Sequence, residues 1–199
     1  MLESALYIVP TPIGNLDDIT LRAIEVLKNA TLIAAEDTRH SKILLDKLGV
    51  LNPKMISCHD HNEEQRASII IDEVNKGGIV ALISDAGSPL INDPGYKVVT
   101  LCSKANVKVI PLPGPCALIT ALEASALPTD KFMFNGFFPV KEKELVETIE
   151  SLKGVDYTAV FYEAPRRILN TMEKVAQILP EHDVTLCREM TKTFESFYR

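Results

Sequence analysis

Chemistry-bearing side chains collect at the ends of apolar runs. The stretch A-E-D-T-R-H-S-K, residues 35 to 42, sets two carboxylates, two hydroxyls, an imidazole and two cations behind L-I-A-A. Acid, base and hydroxyl so close together could activate a nucleophile, orient a substrate, or bind phosphate through Arg39. The same residues also suit a plain helix start, with Asp37 or Thr38 as the cap and the charges solvated. A second stretch, L-I-S-D-A-G-S-P-L-I-N-D-P-G, residues 82 to 95, follows an apolar strand with Ser84, Asp85, Ala86, Gly87 and Ser88. Such small residues leave a bare surface that a ligand can approach, with Asp85 as its one carboxylate. Asp93 and Pro94 then read as N-cap and first residue of the next helix.

Other clusters are more ambiguous. In C-H-D-H-N-E-E, residues 58 to 64, His59 and His61 could share a face, but further ligands at recognisable metal spacing are missing. A polar loop with Asn62 capping the following helix is the better reading, and no metal is expected. The loop V-P-T-P-I-G-N-L-D-D-I-T, residues 9 to 20, is not a G-x-G-x-x-G fingerprint, and its two prolines remove donors that a phosphate cradle would use. It reads either as a rigid connection, with Asp18 or Thr20 capping a helix, or as one wall of a ligand cleft. P-L-P-G-P-C-A-L, residues 111 to 118, reads as a hinge, as a helix N-terminus open to close approach, or as both. Further on, F-Y-E-A-P-R-R (161 to 167) and C-R-E-M-T-K (187 to 192) place charge at two strand ends, which on one sheet edge would form a cleft wall.

The elements that must position these residues alternate. Strands are predicted at 6–9, 31–35, 55–58, 79–83 and 107–110, with helices at 20–29, 41–48, 63–76 and 95–105 between them. This rhythm predicts a mostly parallel sheet covered on both faces, with ligands beyond the carboxyl ends of its strands. Proline and glycine at 111–115 and Pro128-Thr129-Asp130 mark a domain change, giving an N-terminal α/β domain at 1–113 and a second at 114–199. The second shows strands at 132–137, 157–162 and 183–188 and helices at 141–153 and 165–179, with Pro165 in the first turn of the latter. Three strands are few for a complete α/β domain, so a partner or further chain is expected to complete it.

Composition narrows the class. A chain of 199 residues, 46% hydrophobic and 24% charged, suits one large or two small globular domains. The N-terminus lacks a basic leader, and no run approaches the roughly 20 apolar residues that span a bilayer, so a soluble, cytoplasmic protein without membrane contact is expected. Four scattered cysteines without C-x-x-C spacing agree with a reducing compartment. A net charge of −6 argues against coating nucleic acid by charge alone, although a local basic surface can exist on an acidic chain.

Taken together and in order, L-Y-I-V-P-T-P-I-G-N-L-D-D-I-T (6–20), A-A-E-D-T-R-H-S (34–41), S-D-A-G-S-P-L-I-N-D-P-G (84–95), P-L-P-G-P-C-A-L-I-T-A-L (111–122), F-Y-E-A-P-R-R-I (161–168) and R-E-M-T-K (188–192) resemble the tetrapyrrole-methylase superfamily. Within it they are similar to the branch that methylates a ribose 2′-hydroxyl of a cytidine in 16S rRNA of the small ribosomal subunit. The resemblance implies a two-domain α/β fold, a homodimer, and S-adenosyl-L-methionine bound in a cleft between the domains. It assigns the donor site to Pro12, Ile13, Asp85, Ala86, Ser88, Cys116 and Ala117, with Tyr162 and Glu163 toward the adenosine. Members of this type continue past R-E-M-T-K, so the second domain is expected to be incomplete. A ribose hydroxyl needs a base, for which Asp37 or His40 are the candidates, and Arg39, Lys42, Arg166, Arg167 and Lys192 would hold phosphates. A corrin or porphyrin methyltransferase, or a noncatalytic donor-binding module, are the alternatives.

Overall fold

A computed structural model describes residues 2–199, which divide into two compact units, the first ending at Cys116 and the second running from Ala117 to Arg199. The division falls three residues beyond the boundary read from the Pro/Gly punctuation. The first unit holds β1 (Ala5–Ile8), α1 (Leu21–Asn29), β2 (Leu32–Ala35), α2 (Thr38–Lys47), β3 (Met55–Ser57), α3 (Glu63–Asn75), β4 (Ile79–Ile83), α4 (Tyr96–Lys104) and β5 (Val109–Pro111). Its strands form a sheet of order β3-β2-β4-β1-β5, parallel at every pairing.

Apolar runs produce this sheet because both of its faces are covered. Successive side chains point to opposite faces. Ala5, Tyr7, Ile33, Ala35, Ala81 and Ile83 join Ala23, Val26 and Leu27 of α1 and Leu45 of α2 in one core. Leu6, Leu32, Ala34, Val80 and Leu82 join Ile70 and Val74 of α3 and Val98 and Cys102 of α4 in the other. Helix α1 begins at Thr20, whose hydroxyl accepts the Ala23 N–H at 3.0 Å. Cys58 and Cys102 are buried, and burial pushes their thiols up to about 12 and about 11 respectively, so they stay inert.

Two expected caps are corrected. Asp93 and Pro94 do not open α4; Gly95 is its N-cap, at φ +132°, where a Cβ would stand 3.0 Å from both Leu82 and Leu90. A glycine cap has no side chain to bind the free N–H groups of the first turn. The buried Glu63 of α3 supplies that function from another helix, its Oε2 accepting from Gly95 (3.0 Å), Lys97 (2.9 Å) and Val98 (3.4 Å). Asn62 does sit at the N-cap position of α3, but its side chain turns back to accept the His59 N–H (2.9 Å) and donate to the Ser57 carbonyl (3.2 Å). It therefore closes its own loop instead of capping.

The second unit contains α5 (Ala117–Ala124), β6 (Phe132–Phe137), α6 (Glu142–Glu150), β7 (Thr158–Tyr162), α7 (Ile168–Ile178), β8 (Leu186–Arg188) and β9 (Ser196–Tyr198). Helices α6 and α7 close a small core through Leu145, Ile149, Val175 and Leu179. Strands β6 and β7 pair in parallel, whereas β8 pairs antiparallel with β9, a strand the sequence pattern did not reveal. Phe161–Arg167 and Cys187–Lys192 thus end strands of two different sheets, not one shared edge. Pro165 precedes α7 by three residues, and Arg167 takes the N-cap position.

The cap between helices yields a stability prediction. Glu63→Ala leaves three N–H groups at the start of α4 without their acceptor and should lower stability by about 3 kcal/mol, read as a lower urea midpoint by circular dichroism. Glu63→Gln, which keeps one accepting oxygen, should lose less, and an Ala variant as stable as the unaltered chain would contradict this role.

Candidate functional site

The first loop, after β1, and the loop after β4 leave neighbouring strands for opposite faces of the sheet, β1 leading to α1 and β4 to α4. They are joined where they leave. Thr11 N–H donates to the Gly87 carbonyl and Gly87 N–H to the Thr11 carbonyl, both at 2.9 Å, and the buried Thr11 hydroxyl donates to the Ser84 carbonyl at 3.2 Å. The segment after β5 completes the group, with Ser88 Oγ donating to the Pro115 carbonyl at 3.0 Å. Two glycines allow this proximity. Gly87 adopts φ +81°, and a Cβ there would approach Ile13 Cγ2 at 3.3 Å; at Gly114 a Cβ would fall 2.8 Å from Pro10 Cβ. Pro12, Ile13, Asp85, Ala86, Ser88 and Cys116 therefore lie on three interlocked segments at one end of the sheet.

The loop after β2 is tied to the same group. Asp85 Oδ1 accepts the Asp37 N–H at 3.2 Å, and Glu36 Oε2 accepts the Asp85 N–H at 3.4 Å. Asp37 also caps α2. Its Oδ1 accepts the Arg39 N–H at 2.8 Å, and the Arg39 guanidinium reaches its two oxygens at 3.3 and 3.0 Å. Those bonds hold its carboxyl down to about 2, far below the range of an effective base at neutral pH. Glu36 and Asp93 shift the opposite way. Burial raises both, and neighbouring carboxylates add to it: Asp85, Asp93 and Asp60 for Glu36, against the bond from the Asp85 N–H, and Asp85 and Asp60 for Asp93, against the Ser84 hydroxyl. His40 stands exposed in the first turn of α2.

The expected phosphate ligands divide by their partners. Arg39 pairs with Asp37 at 3.0 Å and Lys42 with Asp46 at 2.8 Å, on open surface. Lys192 pairs with Glu189 at 3.1 Å, and Arg166 is exposed. Arg167 is instead built into the second unit, donating to the carbonyls of Pro139 and Phe138 at 3.1 Å each and pairing with Glu163. Glu163 is equally committed: it accepts from the Ala164 N–H and the Thr171 hydroxyl at 2.6 Å, with its side chain only 6% exposed. Tyr162 ends β7 with its ring edge-on to Phe134 and Phe137. Ala117 is the first residue of α5.

Sequence reasoning missed Thr11, Glu36 and Glu63. Glu36 carried a readable signal, as the first polar residue after a wholly buried strand. The other two act through partners distant in the chain. Among the described residues no three His, Cys, Asp or Glu side chains are placed to hold a metal ion, and no helix is long and apolar enough to cross a membrane.

A fully parallel sheet with glycine-bearing loops interlocked beyond its carboxyl edge defines an α/β protein of the class that binds ligands outside the carboxyl ends of its strands. A model of the Tetrapyrrole (Corrin/Porphyrin) Methylases matches residues 5–199, and the chain belongs to that family. It is 49% identical over 197 residues to ribosomal RNA small subunit methyltransferase I of Escherichia coli O157:H7, covering 98% of this chain and 68% of that protein. It is 52% identical over 192 residues to the protein of the same name from Vibrio cholerae serotype O1, covering 96% and 66%. The chain thus spans about two thirds of the length of these relatives. Among solved structures it resembles cobalt precorrin-4 methyltransferase, with TM-score 0.68 at 18% identity over 98% of this chain and 84% of that one. Uroporphyrin-III-C-methyltransferase from Thermus thermophilus aligns with TM-score 0.62 at 18% identity, covering 96% and 82%.

The crowded carboxylates predict an unusual pH response. A carboxyl raised by folding favours the folded state while protonated, and that contribution is lost as pH rises through its raised value. Asp93→Asn, which can still accept from Ser84, should therefore raise the melting temperature at pH 7 to 8. It should give no gain near pH ~3, where the aspartate is already protonated. An equal change at both pH values would rule out charge as the cause.

Proposed function

We propose that this chain is an S-adenosyl-L-methionine-dependent methyltransferase that modifies the ribose 2′-hydroxyl of a cytidine in 16S rRNA of the small ribosomal subunit. The observation that carries this reading is identity of 44–52% to small subunit methyltransferases I over nearly all of this chain. The structures of corrin and porphyrin enzymes share its fold at only 18% identity, so the tetrapyrrole alternative is not favoured. Work on ribosomes would put the protein in the cytoplasm, and a homodimer belongs to the same reading.

The residues at the carboxyl edge suit such a donor. S-adenosyl-L-methionine supplies an electrophilic methyl carbon on a sulfonium sulfur, beside an ammonium group. Glu36 and Asp85 offer negative charge without a neutralising cation in their hydrogen bonds, and beside them the small side chain of Ala86 is exposed. Pro12, Ile13, Asp85, Ala86, Ser88 and Cys116 would hold the donor, and no metal is required when alignment is the main demand. Exposed ion pairs are weak, so Arg39 and Lys42 can exchange their carboxylates for RNA phosphates, with Arg166 and Lys192 as further contacts. Arg167 keeps its internal partners. Of the two expected bases, the geometry favours His40, because the proton affinity of Asp37 is spent on Arg39 and the helix cap.

Calorimetry with S-adenosyl-L-methionine, followed by tritium transfer to isolated small ribosomal subunits, tests the reading. Binding and transfer are expected. Binding with no transfer to RNA would overturn the RNA assignment and favour a donor-binding module. His40→Ala should lower turnover by about 100-fold or more with donor affinity unchanged. Asp37→Asn should have the smaller effect, and the reverse order would return the base to Asp37.

A further inference from the structure

Hydrogen bonding between β2 and β4 ends at the pair Ala35↔Ile83, yet the two chains stay together beyond it. Two crossed side-chain-to-backbone bonds replace the ladder. Asp85 Oδ1 takes the N–H of Asp37, and Glu36 Oε2 takes the N–H of Asp85. The first bond leaves the Asp85 carboxylate dependent on where its own backbone lies. The second fixes that backbone. Glu36 is half-buried, and its Oε1 has no hydrogen-bond partner among the described residues, so the Asp85 N–H is the bond that orients it.

We propose that Glu36 is a positioning residue for methyl transfer: by accepting the Asp85 N–H it sets the loop that presents Asp85, Ala86 and Ser88 to the donor. The inference rests on the donor reading above. Asp37 cannot take over this role, since it is held by Arg39 and α2. The role also responds to pH. Burial raises the Glu36 carboxyl above the ordinary range against the opposing bond from the Asp85 N–H, and the charges of Asp85 and Asp93 from the loop after β4 and Asp60 from the loop after β3 add to the rise. Protonation weakens it as an acceptor, so loop order should decline as pH falls through that raised value.

Glu36→Ala and Glu36→Gln test the role by two readouts, the amide resonance of Asp85 by ¹H–¹⁵N NMR and the Kd for S-adenosyl-L-methionine by calorimetry. Glu36→Ala should shift the Asp85 amide and weaken donor binding about 10-fold, the loss of one hydrogen bond's worth of affinity. Glu36→Gln retains an accepting oxygen and should restore binding to within about 3-fold, while abolishing the pH step of the Asp85 amide. A Gln variant as weak as Ala, with circular dichroism unchanged, would overturn the positioning role in favour of charge alone. So would an Ala variant with both readouts unaltered. Failure of the unaltered chain to bind donor would defeat the donor reading by itself, and the Asp85 amide would still decide whether Glu36 sets the loop.

Discussion

Two backbone hydrogen bonds between Thr11 and Gly87 are the constraint on which the carboxyl edge depends. Strand β1 sends its chain to one face of the sheet and neighbouring β4 sends its chain to the other, and the two loops are bonded to each other before they part. Beyond the last ladder pair, backbone donors and acceptors must find new partners or remain exposed to water. Their exchange requires close approach, which is why small residues gather there and why Gly87 takes a left-handed conformation. Ser88 then reaches Pro115, and Gly114 admits Pro10. A change in any one of the three segments is felt by the other two.

Upon this framework the same side-chain type is made to behave in two ways. Asp37 faces a guanidinium and the start of a helix, which hold its carboxyl down to about 2. Glu36 and Asp93 are partly withdrawn from water among other carboxylates and give up charge more readily. Local partners, not residue identity, decide which carboxylate holds structure and which can respond to a ligand or a proton. The basic residues follow the same division, with Arg167 locked onto carbonyls while Arg39 and Lys42 remain on open surface.

Short, uninterrupted apolar runs such as L-I-A-A and I-V-A-L-I were enough to place strands buried on both faces, and Thr20 was readable as a cap because it acts three residues away. The ordered set of strand-end motifs was enough to find the family and the three loops. What could not be read were choices between near-equivalent acids. Asp93 and Glu63 are both plausible partners for a helix start, and only packing of α3 against α4 decides for the residue 32 positions before Gly95. Asp37 likewise offered a cap and a base in one sequence pattern, and the bonds from Arg39 give it the first role. In the second unit, single-strand patterns carried no information on pairing, so the separation of β6-β7 from β8-β9 was not legible.

The carboxylate of Glu63 also bears on the order in which the chain can assemble. Helix α3 precedes α4 during synthesis, so an acceptor for the first turn of α4 already exists when that turn is made. The opposite order would leave α4 beginning at a glycine with its N–H groups unmet. A circular permutation opened in the turn between α3 and β4 would reverse that order of synthesis while keeping both partners of the cap in the chain. Nascent-chain folding would then distinguish the two orders.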